Sequence, residues 1–176
     1  MERIQEIIRE LKMKNYTHFD TFYLLTKQQV FFTIVGIIKD QSLAEDLLQD
    51  TYMRFLEKID QFKEGGNPYA YLTTIGRNLA FNLYHERKKV VQSEEIFETI
   101  PSPQEPDDPS DDILELLNLL DLEEREIVTM HVINDLKFRE IAGIMKKPLG
   151  TVLWLYNKAM KKLKQEVGEI HDEQTT

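Results

Sequence analysis

The chain has 176 residues, of which 31 are acidic and 22 basic, a net charge of −9, and no cysteine. That length holds one ordinary domain or two small ones, and without cysteine a disulfide framework, a thiolate nucleophile and Cys-ligated zinc or iron–sulfur sites are excluded. The longest apolar-rich run, Val30 to Ile38, is broken by Thr33 and Gly36 and falls well short of the ~20 residues a spanning helix needs. The opening residues, Met1 to Glu6, have no apolar core for a signal peptide, so the expectation is a cytoplasmic protein. Only seven Gly and six Pro favour an all-α fold over an all-β one.

The charge is unevenly spread. Residues 1–91 carry 13 basic and 12 acidic side chains, residues 92–112 carry 8 acidic and no basic ones, and residues 113–176 carry 9 basic and 11 acidic ones. The middle stretch also holds four of the six prolines and has little hydrophobic periodicity. Such a segment cannot bury enough apolar surface to fold alone, so it is expected to be an extended, mobile linker between two helical halves.

Four helices are expected in the first half. The first spans Arg3 to Lys14, and an apolar-rich second spans His18 to Lys39. In the third, Ser42 with Glu45 forms a capping box, and Ala44, Leu47, Leu48, Thr51, Phe55, Leu56 and Ile59 follow a 3.6-residue period. A breaker, Gly65-Gly66-Asn67-Pro68, precedes a fourth helix from Tyr69 to Lys89 with Leu72, Ile75, Leu79 and Leu83 as its stripe. In the second half a short helix, Ile113 to Leu120, leads to one capped by Asp121 with Glu124. A turn follows at Asn134-Asp135. A helix from Lys137 to Met145, a turn at Lys146-Lys147-Pro148 and a longer helix from Leu149 to about Val167 then make a helix-turn-helix. The tail, His171 to Thr176, is expected to fray.

Three surfaces invite a functional reading, each beside a plainer one. No acid falls between Ile141 and Gln165, where Lys146, Lys147, Lys158, Lys161, Lys162 and Lys164 cluster; this suits phosphate and major-groove contact, or it is a solvated lysine face. The fourth helix and its loop gather Tyr69, Tyr71, Thr73, Thr74, Arg77, Asn78, Asn82, His85 and Arg87. These can stack on, read and hold an unpaired strand, or the tyrosines are core. Asp46, Gln49 and Asp50 form an acidic strip that is a docking surface for a basic partner or a solvated face. Catalysis finds little support. The four histidines are scattered, no phosphate-binding loop is present, and the Asp107–Asp112 cluster lacks the glycine and glutamate an EF-hand loop requires. No metal or cofactor is expected.

In order, these pieces resemble a bacterial extracytoplasmic-function sigma factor, an RNA polymerase specificity subunit, over roughly residues 15–167. SLAEDLLQDTYMRFLEKIDQF with NPYAYLTTIGRNLAFNLYHERKK is similar to the family's second region, and LDLEEREIVTMHVINDLKFREIAGIMKKPLGTVLWLYNKAMKKLK to its fourth. The resemblance implies an all-α, two-domain layout. Residues 1–91 would form a region 2-like domain, 92–112 an acidic linker, 113–170 a region 4-like helix-turn-helix domain and 171–176 a tail.

It also implies partners. Core RNA polymerase would be bound by Asp46, Gln49, Asp50, Tyr52 and Leu56. The non-template strand of the −10 element would be held by Lys63, Asn67, Tyr71, Thr74, Arg77, Asn78, Asn82, Arg87 and Lys88, with one base flipped beside the loop. The −35 duplex would be held by Lys146, Lys147, Thr151, Trp154, Asn157, Lys158, Lys161 and Lys162. An anti-sigma protein would regulate the whole, and no activity as an enzyme is implied.

Several positions depart from the family pattern. Tyr71 stands for a usual Trp, Asn82 for a common Asp, His85 and Glu86 for basic residues, and Lys146 for a usual turn glycine. Leu153-Trp154-Leu155 replaces a basic Ser-containing run. That last run reads DNA, packs in the core or binds a protein; the core and partner readings are preferred for Trp154. The rival functions are a sigma-like decoy that sequesters an anti-sigma protein and a conventional repressor, which would leave the first block unexplained.

Overall fold

The computed structural model describes the backbone of residues 2–91 and 109–173 and the side chains of residues 2–89 and 113–166. All its regular elements are helical among the described residues. They are α1 (Glu2–Lys12), α2 (Phe19–Ile38), α3 (Gln41–Glu57), a 3₁₀ turn (Ile59–Gln61), α4 (Pro68–Val91), α5 (Pro109–Asn118), α6 (Leu122–Val128), a π-helical turn (Thr129–Ile133), α7 (Phe138–Met145) and α8 (Leu149–Glu173). They fall into two compact units, α1–α4 and α5–α8. Residues 92–108 of the expected linker lie outside the described residues, and its last four, Pro109 to Asp112, are helical. A proline with its fixed φ suits the first position of a helix. The expected tail gives up residues 171–173 to α8.

In the first unit α2 packs against both α3 and α4, and α3 against α4. On length and composition alone α2 could span a membrane, which the sequence reading missed by weighing only its densest run. Packing accounts for its apolar character: Phe22, Val30, Phe32, Ile34, Val35 and Ile37 are all buried. Phe22 stacks on Phe55 with ring centroids 5.0 Å apart, and Tyr52 meets Phe22 edge-on at 6.1 Å. Gly76 on α4 is needed for a close approach, because a Cβ there would lie 3.3 Å from both Ile34 and Thr51 side chains. The cap of α3 is Asp40, not Ser42: its carboxylate accepts from the Leu43 N–H at 3.0 Å. The chain turns at Lys39, with φ of 57°, and leaves Asp40 extended two residues before the expected cap.

In the second unit α6 and α7 both pack on α8. The capping box at Asp121 is present, the Asp121 N–H donating to Glu124 Oε2 at 3.2 Å. Buried Arg125 ties α5 to α6 by donating to the carbonyls of Leu117 and Leu120, each at 2.8 Å. The π-helical turn ends in the left-handed Asp135. There the His131 ring, bonded through Nδ1 to the Leu136 carbonyl at 2.9 Å, stacks on Phe138 and meets Tyr156 edge-on, the three rings in mutual contact. The helix-turn-helix forms as expected, with Lys146 in the left-handed region at φ of 53° where glycine would be unstrained.

Candidate nucleic-acid and protein interfaces

On α3 the positions Asp46, Gln49 and Asp50 are exposed and Leu56 is half-buried. Tyr52 does not join them. It is 3% exposed and its hydroxyl shares a 2.6 Å hydrogen bond with Thr26, so burial pushes its phenol above its ordinary pKa despite that bond. Its place on the surface is taken by Met53, which the sequence reading passed over. Met53 is exposed and stands one helical turn beyond Gln49 and Asp50, a spacing that puts all of them on one face. The strip therefore runs from acidic to apolar along α3.

The loop from Phe62 to Asn67 and the first turns of α4 form the second surface. Gly66 N–H donates to the Lys63 carbonyl at 2.9 Å and closes a turn whose third residue, Gly65, has φ of 74°, the position at which a type II turn needs glycine. Asn67 caps α4 through Oδ1, which accepts from the Tyr69 N–H at 3.0 Å. Asn67 is thus partly committed to structure. Half-buried Tyr71 lies edge-on to Phe62 at 5.3 Å and donates to the Lys58 carbonyl at 3.3 Å. Thr74 donates to the Ala70 carbonyl at 2.7 Å, and Thr73 is buried. Arg77 lies over the Phe81 ring at 4.6 Å. Lys63, Asn78, Asn82, Arg87 and Lys88 are exposed. Among the residues expected to hold the −10 strand, the exposed polar side chains are therefore Lys63 on the loop and Asn78, Asn82, Arg87 and Lys88 on α4, with Asn78 and Asn82 one helical turn apart.

In the helix-turn-helix, three of the expected DNA-binding lysines are engaged within their own unit. Lys147 pairs with Glu123 at 2.9 Å. Lys158 and Lys162 close on Glu124 at 2.8 and 2.6 Å, and Lys162 also reaches Asp121 at 3.0 Å. Lys146, Asn157 and Lys161 are exposed and Thr151 half-buried. The apolar run divides: Leu155 is buried, while Leu153 and Trp154 are 38% and 61% exposed. Trp154 is therefore not core, which corrects one of the two preferred readings. Its indole carries the Lys158 ammonium over its face at 5.5 Å. With Leu149 and Leu153 also exposed, the first turns of α8 present apolar side chains, and Lys158, Lys161, Lys162 and Lys164 follow in its middle. The acids Asp121, Glu123 and Glu124 were visible in the sequence, but their lysine partners, Lys147 in the turn and Lys158 and Lys162 on α8, lie far away along the chain.

Burial would raise the Glu124 carboxyl, but the hydrogen bonds from Lys158 and Lys162 outweigh it and hold it below its ordinary value of 4.5. Lys162 is raised in turn, first by Glu124 and then by Asp121. A depressed carboxyl stabilises the fold above its unfolded pKa and loses that contribution as pH falls through the folded one. Glu124→Gln is therefore expected to destabilise the second unit at pH 7. The gap between variant and wild type should narrow as denaturant titrations move below about pH 4.5; a gap independent of pH would show that the pairing contributes nothing.

The second unit thus carries a helix-turn-helix, and the first a polar loop and helix together with an acidic strip. Residues 22–90 match the family model for sigma-70 region 2, and residues 110–163 that for sigma-70 region 4. The chain belongs to the sigma-70 family, in its extracytoplasmic-function class, and its partners are core RNA polymerase and promoter DNA. It is similar to the ECF RNA polymerase sigma factor EcfG of Rhodopseudomonas palustris (strain TIE-1), with 28% identity over 124 residues, 68% of each chain. It is also similar to SigM of Bacillus subtilis (strain 168), with 24% identity over 132 residues, 72% of this chain and 80% of that one. Among solved structures it is similar to the sigma factor RpoE of Bartonella quintana in complex with the anti-sigma factor NepR. There the TM-score is 0.72 at 26% identity, covering 85% of this chain and 96% of that one.

Proposed function

We propose that this sigma factor directs core polymerase to promoters by three separate contacts. The α3 strip of Asp46, Gln49, Asp50, Met53 and Leu56 docks a basic helical element of the polymerase. The Phe62–Asn67 loop and the Asn78–Asn82 face of α4 trap unpaired non-template bases of the −10 element. The helix-turn-helix holds the −35 duplex, with Lys146 and Lys161 on phosphates. The protein acts by binding and not as an enzyme, in the cytoplasm where polymerase works. The similarity to a sigma factor solved with its anti-sigma factor supports control by such a protein.

The observation that carries the −10 assignment is the exposed pair Asn78 and Asn82 on the helix that the glycine loop leads into. An amide can satisfy the hydrogen-bonding edge of a base that has left the stack. The test is promoter-dependent transcription with purified core polymerase. Asn78→Ala is expected to lower open-complex formation and base discrimination together, by about 1–3 kcal/mol. Equal loss on every −10 sequence would make Asn78 merely structural.

The exposed Leu149, Leu153 and Trp154 favour a second reading, a sigma-like decoy whose α8 serves a protein partner. A chain that binds an anti-sigma protein but yields no promoter-specific transcript would support the decoy and overturn the first reading.

A further inference from the structure

α1 lies ahead of the residues matched by the region 2 family model. Its stripe of Ile4, Ile7, Ile8 and Leu11 is buried, and His18 at the start of α2 bonds Glu10 at 2.6 Å, so the helix is fixed to the bundle. Gln5, Arg9 and Lys12 follow one another at helical spacing and all reach the loop before α4. Lys12 Nζ donates to the Phe62 carbonyl at 2.6 Å, and Gln5 Nε2 donates to the Gly66 carbonyl at 2.7 Å. Arg9 Nε pairs with Glu64 at 3.0 Å. The loop is thus held at its first residue, near its tip and close to its end. The Arg9–Glu64 pair is exposed and adds little; the two bonds to backbone carbonyls carry the contact.

Between helix and loop is a cavity of about 280 Å³, lined by Gln5, Ile8, Lys12, Met13 and Phe62 among others. Beside that cavity the two hydrogen bonds to backbone carbonyls are the directed contacts that hold the loop against α1. The turn's internal shape is fixed by Gly65 and by Gly66, where a Cβ would lie 2.9 Å from the Lys63 carbonyl. Its placement relative to the bundle depends on α1 at one side and on Phe62 against Tyr71 at the other.

We infer that α1 is a positioning element for −10 readout: Gln5 and Lys12 hold the Phe62–Asn67 loop at the height where it closes over an unpaired base, and so set base discrimination without touching DNA. This rests on the reading that the loop and Asn78 trap that base. A loop held in one pose leaves polar groups unpaired against a wrong base, whereas a loop free to shift adapts to it. Losing the clasp therefore lowers preference more than it lowers binding.

The test uses the full chain carrying Gln5→Glu and Lys12→Met, which remove the two donors and keep side-chain length. Arg3→Ala, whose arginine pairs with Glu6 on the same helix, is the control. In the free chain, amide exchange over residues 63–67 is expected to quicken while α2–α4 are unchanged. In the complex with core polymerase, single-stranded non-template oligonucleotides carrying each of the four bases at each −10 position report preference. That preference is expected to fall about five- to tenfold in the double variant and to survive in Lys12→Arg, which keeps a donor. Unchanged loop exchange overturns the proposal, and so does a retained preference in a chain whose preference is lost on Asn78→Ala. If the wild type shows no base preference, the −10 reading has failed, and the exchange result alone judges the clasp. Should the double variant lose its melting transition, Lys12→Met alone is measured the same way.

Discussion

Arg125→Met is expected to destabilise the second unit by about 3 kcal/mol or more, since each of two hydrogen bonds from a charged donor contributes about 1.5–3 kcal/mol. The arginine is buried, and its guanidinium serves the Leu117 and Leu120 carbonyls where α5 ends. Leu117 lies in the last turn of α5, where its carbonyl also accepts the Leu120 N–H at 3.2 Å, and Leu120 lies just beyond the helix. Burial pulls the guanidinium pKa down, partly offset by Asp121, and an arginine side chain stays protonated in proteins. Methionine preserves the stem and the apolar contacts, so the loss isolates the donors. Against a domain stability of about 5–15 kcal/mol, 3 kcal/mol is a large share. Amide exchange resolves the units within the intact chain: protection in α6 and α8 should drop while that in α2–α4 stays. Unchanged protection in α6 would mean that water serves the two carbonyls equally well.

Arg125 also illustrates what could be seen in the sequence and what could not. Periodicity located the core face of α3 because burial repeats every 3.6 residues: Ala44, Leu47, Leu48, Thr51 and Phe55 are all buried as expected. The stripe of α4 holds for Leu72 and Leu79. Local chemistry located the Asp121 capping box but misplaced the α3 cap, because Asp40 and Ser42 are both good caps and the end of α2 decides between them. Contacts made across the fold left no local signal. Lys158 and Lys162 looked like free cations because their partners on α6 lie 34 to 41 residues earlier. Nothing local marks Gln5 and Lys12, because the carbonyls they serve lie 61 and 50 residues away. Tyr52 and Thr26 are likewise joined only by the packing of α2 on α3.

Charge reversal on the α3 strip tests the proposed polymerase contact most directly. Asp46→Arg combined with Asp50→Arg is expected to weaken binding to core polymerase by about 2 kcal/mol or more, since reversal adds repulsion to the loss of attraction. Both side chains are exposed, so the fold has little stake in them, and helicity and thermal unfolding should stay as in the wild type. The neighbouring Met53 separates two ways in which the strip could act. If apolar contact contributes, as a flexible exposed methionine at a protein interface suggests, Met53→Ala will slow neither encounter nor its salt dependence but will speed dissociation. The aspartate pair should instead lower the association rate and flatten its dependence on salt, because rim charges act mainly through steering. Stopped-flow binding at two ionic strengths distinguishes the two effects. Unchanged kinetics in the aspartate double variant would reduce the strip to a solvated helix face and move the polymerase contact elsewhere in the first unit.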